Sequence, residues 1–430
     1  MIKVLHLAAH LGGGVGKALS GLVQQAALTG SGISHTIVTL EEQEKPQFIQ
    51  IVKRYGCEVI TCPSRDELYE LMESADIVQL EWWNHPLTIE ALCSQSFPPM
   101  RLLVWSHVSG LYTPIIPCRL ICAAQRFIFT SPCSYEAKEV SALLPVHQNK
   151  LSVVSSSGGF SDFPAHGINS EKKLKVGYIG SLNFAKLHPR YVDFIVAIQS
   201  PGFKVSLIGD IANREILEQQ CIESGMPGML VFRGYSADVT TELASINLLA
   251  YLLNPEHYGT TENALIEAMA MGIVPIVLDN PAERHIVQNH DTGLIVNSQK
   301  EFADAIEWLS ANPLERERIG INAARSVRER FSVEKMESSL NSHYGDLLLV
   351  DKIQVSFTGI FGDDPADWFL SCQRYPEIFS DSSTRINRDD FYSFGLYEQS
   401  KGTVFHFKKH FPGNKRLEKW ANKLIVSKLN

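Results

Sequence analysis

The chain has 430 residues, of which 45% are hydrophobic and 20% charged, and it carries a net charge of −8 at pH 7. This length exceeds what one hydrophobic core usually supports, so two domains are expected. The acidic balance excludes nucleic acid as the main partner, since binding phosphate backbones needs a concentrated face of Lys and Arg.

Eight cysteines without metal-ligand spacing read as reduced thiols. The N-terminal sequence lacks the marks of a cleavable leader, and no run approaches 18 apolar residues, so a cytoplasmic protein is expected.

In chain order, the short apolar runs KVLHLA, HTIVTL, CEVITC, DIVQLEW, RLLVWSH and RFIFTS alternate with helical patterns and predict a parallel, doubly wound sheet over residues 1–165. A polar stretch rich in Gly, Ser and Pro, SSGGFSDFPAHGINSEKK, separates it from a second alternation over 172–331, with LKVGYIG, FKVSLIG, MLVFRG, INLLAYLL and GIVPIVL as strands. Residues 332–349 continue as a helix, and 350–430 form an aromatic-rich extension. The expected fold class is α/β, with two facing Rossmann-like domains and a C-terminal appendage, and a ligand in the cleft where the carboxyl ends of both sheets converge.

The first strand-to-helix turn reads HLGGGVGK. A P-loop fails here because Leu11 and Ala18 occupy its Gly and Ser/Thr positions, and a dinucleotide fingerprint fails at Lys17. Gly13 and Gly14 therefore point either to backbone amides brought close to an anion or to a tight turn with no ligand.

In NPEHYGTTENALIEAMAMGIVPIVLDNPAERHIV, the Thr-Thr pair is a good N-cap and a helix is expected from about Glu262. Its first turn, Thr261, Glu262, Asn263 and Ala264, would offer amides and a positive dipole to a phosphate. Glu267, one and a half turns in, is placed to reach a ribose hydroxyl, or is a surface glutamate of an amphipathic helix.

At this point the chain resembles the family 4 glycosyltransferases (glycosyl transferases group 1), over most of residues 1 to 350. NALIEAMAMGIVPIV is similar to the block around the second glutamate of that family's E-x7-E motif, which implies that Glu267 grips the donor ribose. GSLNFAK is similar to the segment whose lysine stabilises donor phosphates, which implies that role for Lys186. LVWSHVSG ends a strand in His107, where the family often carries a histidine near the donor sugar; a structural histidine is the other reading. FSVEKMESSLNSHY resembles a helix that crosses back to the first domain.

Two positions depart from the pattern. The family's first glutamate falls on Gly259, with Glu262 or Glu256 as replacements, and its phosphate-binding arginine falls on Ser181.

The resemblance implies a GT-B fold, with residues 1–165 the acceptor domain and 172–331 the donor-binding domain. It further implies a retaining transferase that moves a sugar from a UDP- or GDP-sugar to a glycan or lipid-linked glycan, with His107, Lys186 and Glu262 at the reacting centre. No metal and no cofactor beyond the nucleotide sugar are expected. A partner subunit that keeps the cleft without turnover is the alternative.

Trp82, Trp83, Asn84 and His85 end the fourth strand and read either as an acceptor wall that stacks on sugar or as core. The tail KRLEKWANKLIVSKLN places Leu417, Trp420, Ala421, Leu424 and Ile425 on one helical stripe ringed by Lys and Arg. That stripe would dock on its own domain or make a peripheral membrane contact.

Overall fold

Runs such as Leu102–Trp105 and Leu248–Leu253, apolar at every position, suit strands covered on both faces, as in parallel sheets. The computed structural model, which describes residues 1–42, 46–164, 173–200, 202–380 and 391–429, arranges them in two such sheets. The first holds β1 (Ile2–Ala8), β2 (Ile33–Thr39), β3 (Glu58–Thr61), β4 (Ile77–Trp82), β5 (Leu102–Ser106), β6 (Arg126–Phe129) and β7 (Leu151–Val153), in the order β3-β2-β1-β4-β5-β6-β7. The second holds β8 (Val176–Ile179), β9 (Val205–Ile208), β10 (Leu230–Gly234), β11 (Leu248–Tyr251), β12 (Val274–Leu278) and β13 (Leu294–Val296), in the order β10-β9-β8-β11-β12-β13.

All neighbouring pairs are parallel. Each of the eleven runs expected as strands contains one. Strand β7 is only three residues long and follows a helix containing Pro145, so it gives no periodic signal. The strand order reverses between β1 and β4 and between β8 and β11, which opens a crevice at the carboxyl edge of each sheet.

The polar stretch between the sheets includes residues 165–172, which lie outside the described residues, as do 381–390 of the extension. The chain returns to the first domain through the helix Val333–Leu348. That helix buries Met336, Leu340, Tyr344 and Leu347 in one cluster with Val4, Ala18 and Trp105. The outgoing and returning crossings touch, since a Cβ on Gly159 would lie 3.3 Å from Val333 Cγ1. Arg328 braces the same place, donating to the carbonyls of Phe163 (3.2 Å), Pro164 (3.0 Å) and Ala270 (3.1 Å).

Most aromatics of the extension belong to the core of the first domain, while Phe394 packs on Phe184 and Phe391 on His188 of the second. Phe357, Phe361, Trp368, Phe369, Phe379, Phe407 and Trp420 pack in one cluster with Leu80, Trp82 and Val104. The tail helix Lys415–Leu429 buries Leu417, Trp420, Ala421 and Leu424 there and leaves only Ile425 of its stripe exposed, at 43%. The stripe therefore docks on its own domain. Apolar surface already covered by protein is not available to lipid, which leaves Ile425 and Val426 as the exposed apolar residues of this helix. Among the described residues, no helix is long and apolar enough to cross a membrane.

Candidate active site

A cavity of about 610 Å³ lies between the two carboxyl edges. It is lined from the first domain by Gly13, Gly14, Trp83 and His107, and from the second by Ser181, Lys186, Thr261, Glu262, Asn263 and Ala264.

Two helix starts face each other across it. The first helix, Gly13–Thr29, begins on a glycine with φ +56° and has no side-chain cap. A Cβ on Gly14 would lie 3.0 Å from the side-chain Nδ2 of Asn263, so the two helix starts approach closely here. The second helix is Asn263–Ala270, with Glu262 as an N-cap that makes no side-chain capping bond.

The expected threonine cap does not form. Thr261 Oγ1 instead donates to the carbonyl of Thr130 (2.6 Å), and the hydroxyls of Thr130 and Thr260 lie 2.6 Å apart. These hydroxyls join the two domains, so the first-turn amides of the 263–270 helix keep no side-chain partner and remain open to an anion.

Glu262 turns into the space next to Gly259. A Cβ at position 259 would collide with Glu262 Oε1 and Lys186 Nζ. Glu262 accepts from Lys186 Nζ at 2.5 Å and from Tyr251 OH at 2.7 Å, with His257 Nδ1 3.8 Å away. Burial opposes the charge of Glu262, yet Lys186, His257 and these hydrogen bonds hold its carboxyl below the ordinary value. Burial likewise opposes the charge of Lys186, and Glu262 and Tyr258 hold it above the ordinary lysine value. The result is a fixed cation beside the open amides. Ser181 lines the cavity with a hydroxyl that accepts from Asn183 N–H at 3.3 Å.

Glu267 is placed differently from the expectation. Its carboxylate takes the ammonium of Lys17, on the first helix, in an ion pair between the domains, and it does not line the cavity. Lys17 also sits over the Phe163 ring, 5.0 Å from its centre. This partner was not read from the sequence, because residues 250 positions apart leave no spacing to detect.

On the first domain, Trp82 is 0% exposed and stacks on Phe361 with ring centres 5.3 Å apart. It is a core residue and not part of an acceptor wall, because β4 turns its side chain away from the cavity into the extension. Trp83 does line the cavity. Asn84, at φ +62°, donates to the carbonyl of Gly402 at 3.4 Å. His85 is buried against His406 and His410 of the extension.

These three histidines bring nitrogens within 4.8 Å of one another. The N–H of Leu87 donates to His85 Nδ1 (3.2 Å) and that of Gly402 to His406 Nδ1 (3.0 Å). Those bonds place the proton of each neutral ring on Nε2, whereas a ligating histidine needs a lone pair there and donates from its other nitrogen. The rings are thus oriented for hydrogen bonding, with 3.2 Å between the Nε2 atoms of His406 and His410.

Residues 161–326 match the profile of a family described as glycosyl transferases group 1. The chain is 24% identical over 153 residues to an alpha-1,3/1,6-mannosyltransferase, ALG2, of Dictyostelium discoideum, covering 35% of this chain and 36% of that protein. It is 27% identical over 190 residues to an N-acetyl-alpha-D-glucosaminyl L-malate synthase of Bacillus anthracis, covering 44% and 49%. The matches thus span between a third and a half of these relatives. Among solved structures, Anabaena HepE in complex with UDP-glucose superimposes with a TM-score of 0.64 at 16% identity, covering 80% of this chain and all of that one.

The chain has the GT-B fold. The similarity to the group 1 glycosyl transferases covers its second domain.

Proposed function

We propose that the protein is a glycosyltransferase that moves a sugar from a UDP- or GDP-sugar to a glycan or lipid-linked glycan with retention. The observation that carries this reading is the uncapped start of the 263–270 helix beside the buried Lys186–Glu262 pair, in a cleft between two parallel sheets. Departure of the nucleoside diphosphate puts negative charge on its phosphate oxygens. Helix amides and Lys186, already fixed in place, stabilise that charge without reorganising. Glu262, Tyr251 and His257 hold Lys186 there. His107, on the opposite wall, is positioned toward the sugar, and Trp83 toward the acceptor. The donor ribose would take Glu267 once Lys17 releases it. Eight free cysteines fit a cytoplasmic setting.

A second reading, a nucleotide-sugar-binding partner without turnover, is favoured by the engagement of Glu267 with Lys17 and by Gly259 and Ser181. Thermal stability against UDP-, GDP-, ADP- and dTDP-sugars tests both. Ligand at about 100 times its dissociation constant adds roughly 2.7 kcal/mol. One nucleotide sugar should raise the melting temperature, and Lys186→Ala and Glu267→Ala should each reduce that rise. Slow hydrolysis of the donor then separates the enzyme from the binder. No rise with any nucleotide sugar removes the donor site.

A further inference from the structure

Behind His107, at the carboxyl end of β4, lies a buried polar network that the transfer chemistry above does not use. Glu81 is fully buried. Its Oε2 lies 2.7 Å from His107 Nε2, and its Oε1 lies 3.0 Å from His6 Nδ1 and 2.8 Å from Gln79 Nε2. Further back, Tyr344 OH donates to Gln79 Oε1 at 2.6 Å, and His35 Nδ1 lies 2.9 Å from His6 Nε2.

The protons in this network can be counted. Tyr344 is a donor to Gln79 Oε1, which makes Gln79 Nε2 a donor to Glu81. Burial pushes His35 down to about 3, so it is neutral. Its Nε2 is buried without a hydrogen-bond partner, which leaves the proton on Nδ1, directed at His6 Nε2. His6 Nδ1 then carries the proton directed at Glu81. Although burial opposes its charge, the Glu81 carboxyl is held down to about 2 by hydrogen bonds from His107 and His6. An ionised carboxylate only accepts, so His107 Nε2 must donate, and the nitrogen left for the cavity is Nδ1.

We propose that Glu81 is a positioning residue that holds His107 with Nε2–H toward the carboxylate and the lone pair of Nδ1 toward the cavity, where it accepts a hydrogen bond from a hydroxyl of the bound sugar. This deepens the nucleotide-sugar reading and rests on it.

Two-bond 1H–15N spectra of the full-length protein labelled with 15N-histidine test the tautomer at pH 7.5, with the His107 signal assigned by its loss in His107→Asn. A neutral ring protonated on Nε2 is expected. An Nδ1–H ring or a doubly protonated one overturns the proposal. Glu81→Gln replaces two acceptor oxygens with one acceptor and one donor, so His107 or His6 must reverse. In that variant, affinity for UDP-glucose or GDP-mannose, whichever binds the wild type, should fall about fivefold while affinity for UDP or GDP alone holds. Equal loss for sugar nucleotide and bare nucleotide, or no loss for either, overturns the proposal. If Glu81→Gln does not fold, the wild-type spectrum decides. Wild-type protein that binds none of these nucleotides sinks the nucleotide-sugar reading, while the spectrum still reports on Glu81.

Discussion

Position 259 has no room for a side chain because its neighbours already occupy the space: the Glu262 carboxylate, the Lys186 ammonium and, 2.8 Å from a built Cβ, His257 Nδ1. Gly259→Ala should therefore displace the Lys186–Glu262 pair. A loss of roughly 1 to 3 kcal/mol in chemical denaturation is expected, with a smaller ligand-induced rise in melting temperature. Unchanged stability would show that the pair moves aside without cost. At this scale the sequence was only half legible. It marked Gly259 as a departure and offered Glu262 as a replacement, but which carboxylate fills the space depends on the loop path from Asn254 to Glu262. The Thr-Thr cap failed for a related reason, since Thr261 found a better partner in Thr130, 131 positions away. Trp82 ends β4 inside the core and Trp83, the next residue, lines the cavity, and composition does not say which of them faces it.

Eleven of the thirteen strands were legible because each lies in a mostly apolar run, which needs no tertiary information, whereas β7 and β13 are only three residues long. The extension was not, because its aromatics are distributed over helices such as Pro365–Leu370 and Val404–His410, too short to show a helical period. Its attachment carries a pH dependence that can be signed. His10 is pushed down to about 4 by burial and Lys401, and His406 to about 3 by burial and His85. His85 and His410 are also lowered, chiefly by burial, with Glu41 the acid nearby and Lys401 and Lys409 the other cations. Undocked, these rings return toward 6.5 and take up protons that the docked rings refuse. Docking is therefore fully favourable above about pH 6.5 and weakens as pH falls from there toward 4. Hydrogen exchange, corrected for its intrinsic rate, should show residues 404–410 and 415–427 losing protection between pH 7 and 5 while β1 and β4 keep theirs. Equal protection of the extension at both values would disprove this coupling.

For the whole molecule, the two domains meet through contacts that no single domain predicts: Lys17 with Glu267, Thr130 with Thr260 and Thr261, and Ser109 N–H on the carbonyl of Tyr258 at 3.0 Å. If the donor ribose takes Glu267, binding must first break its pair with Lys17, so the two are in competition. Lys17→Met keeps the aliphatic packing and leaves Glu267 without its cation. The variant should lose roughly 3 kcal/mol of stability yet show a larger rise in melting temperature with nucleotide sugar than the wild type. A smaller rise would mean that Lys17 itself helps to hold the ligand. The contact of Gly159 with Val333, fastened by Arg328, has a mechanical corollary. The two polypeptide links between the halves run side by side where Gly159 meets Val333, with Arg328 tying the outgoing link to Ala270, so a bend in either link there must be accommodated by the other.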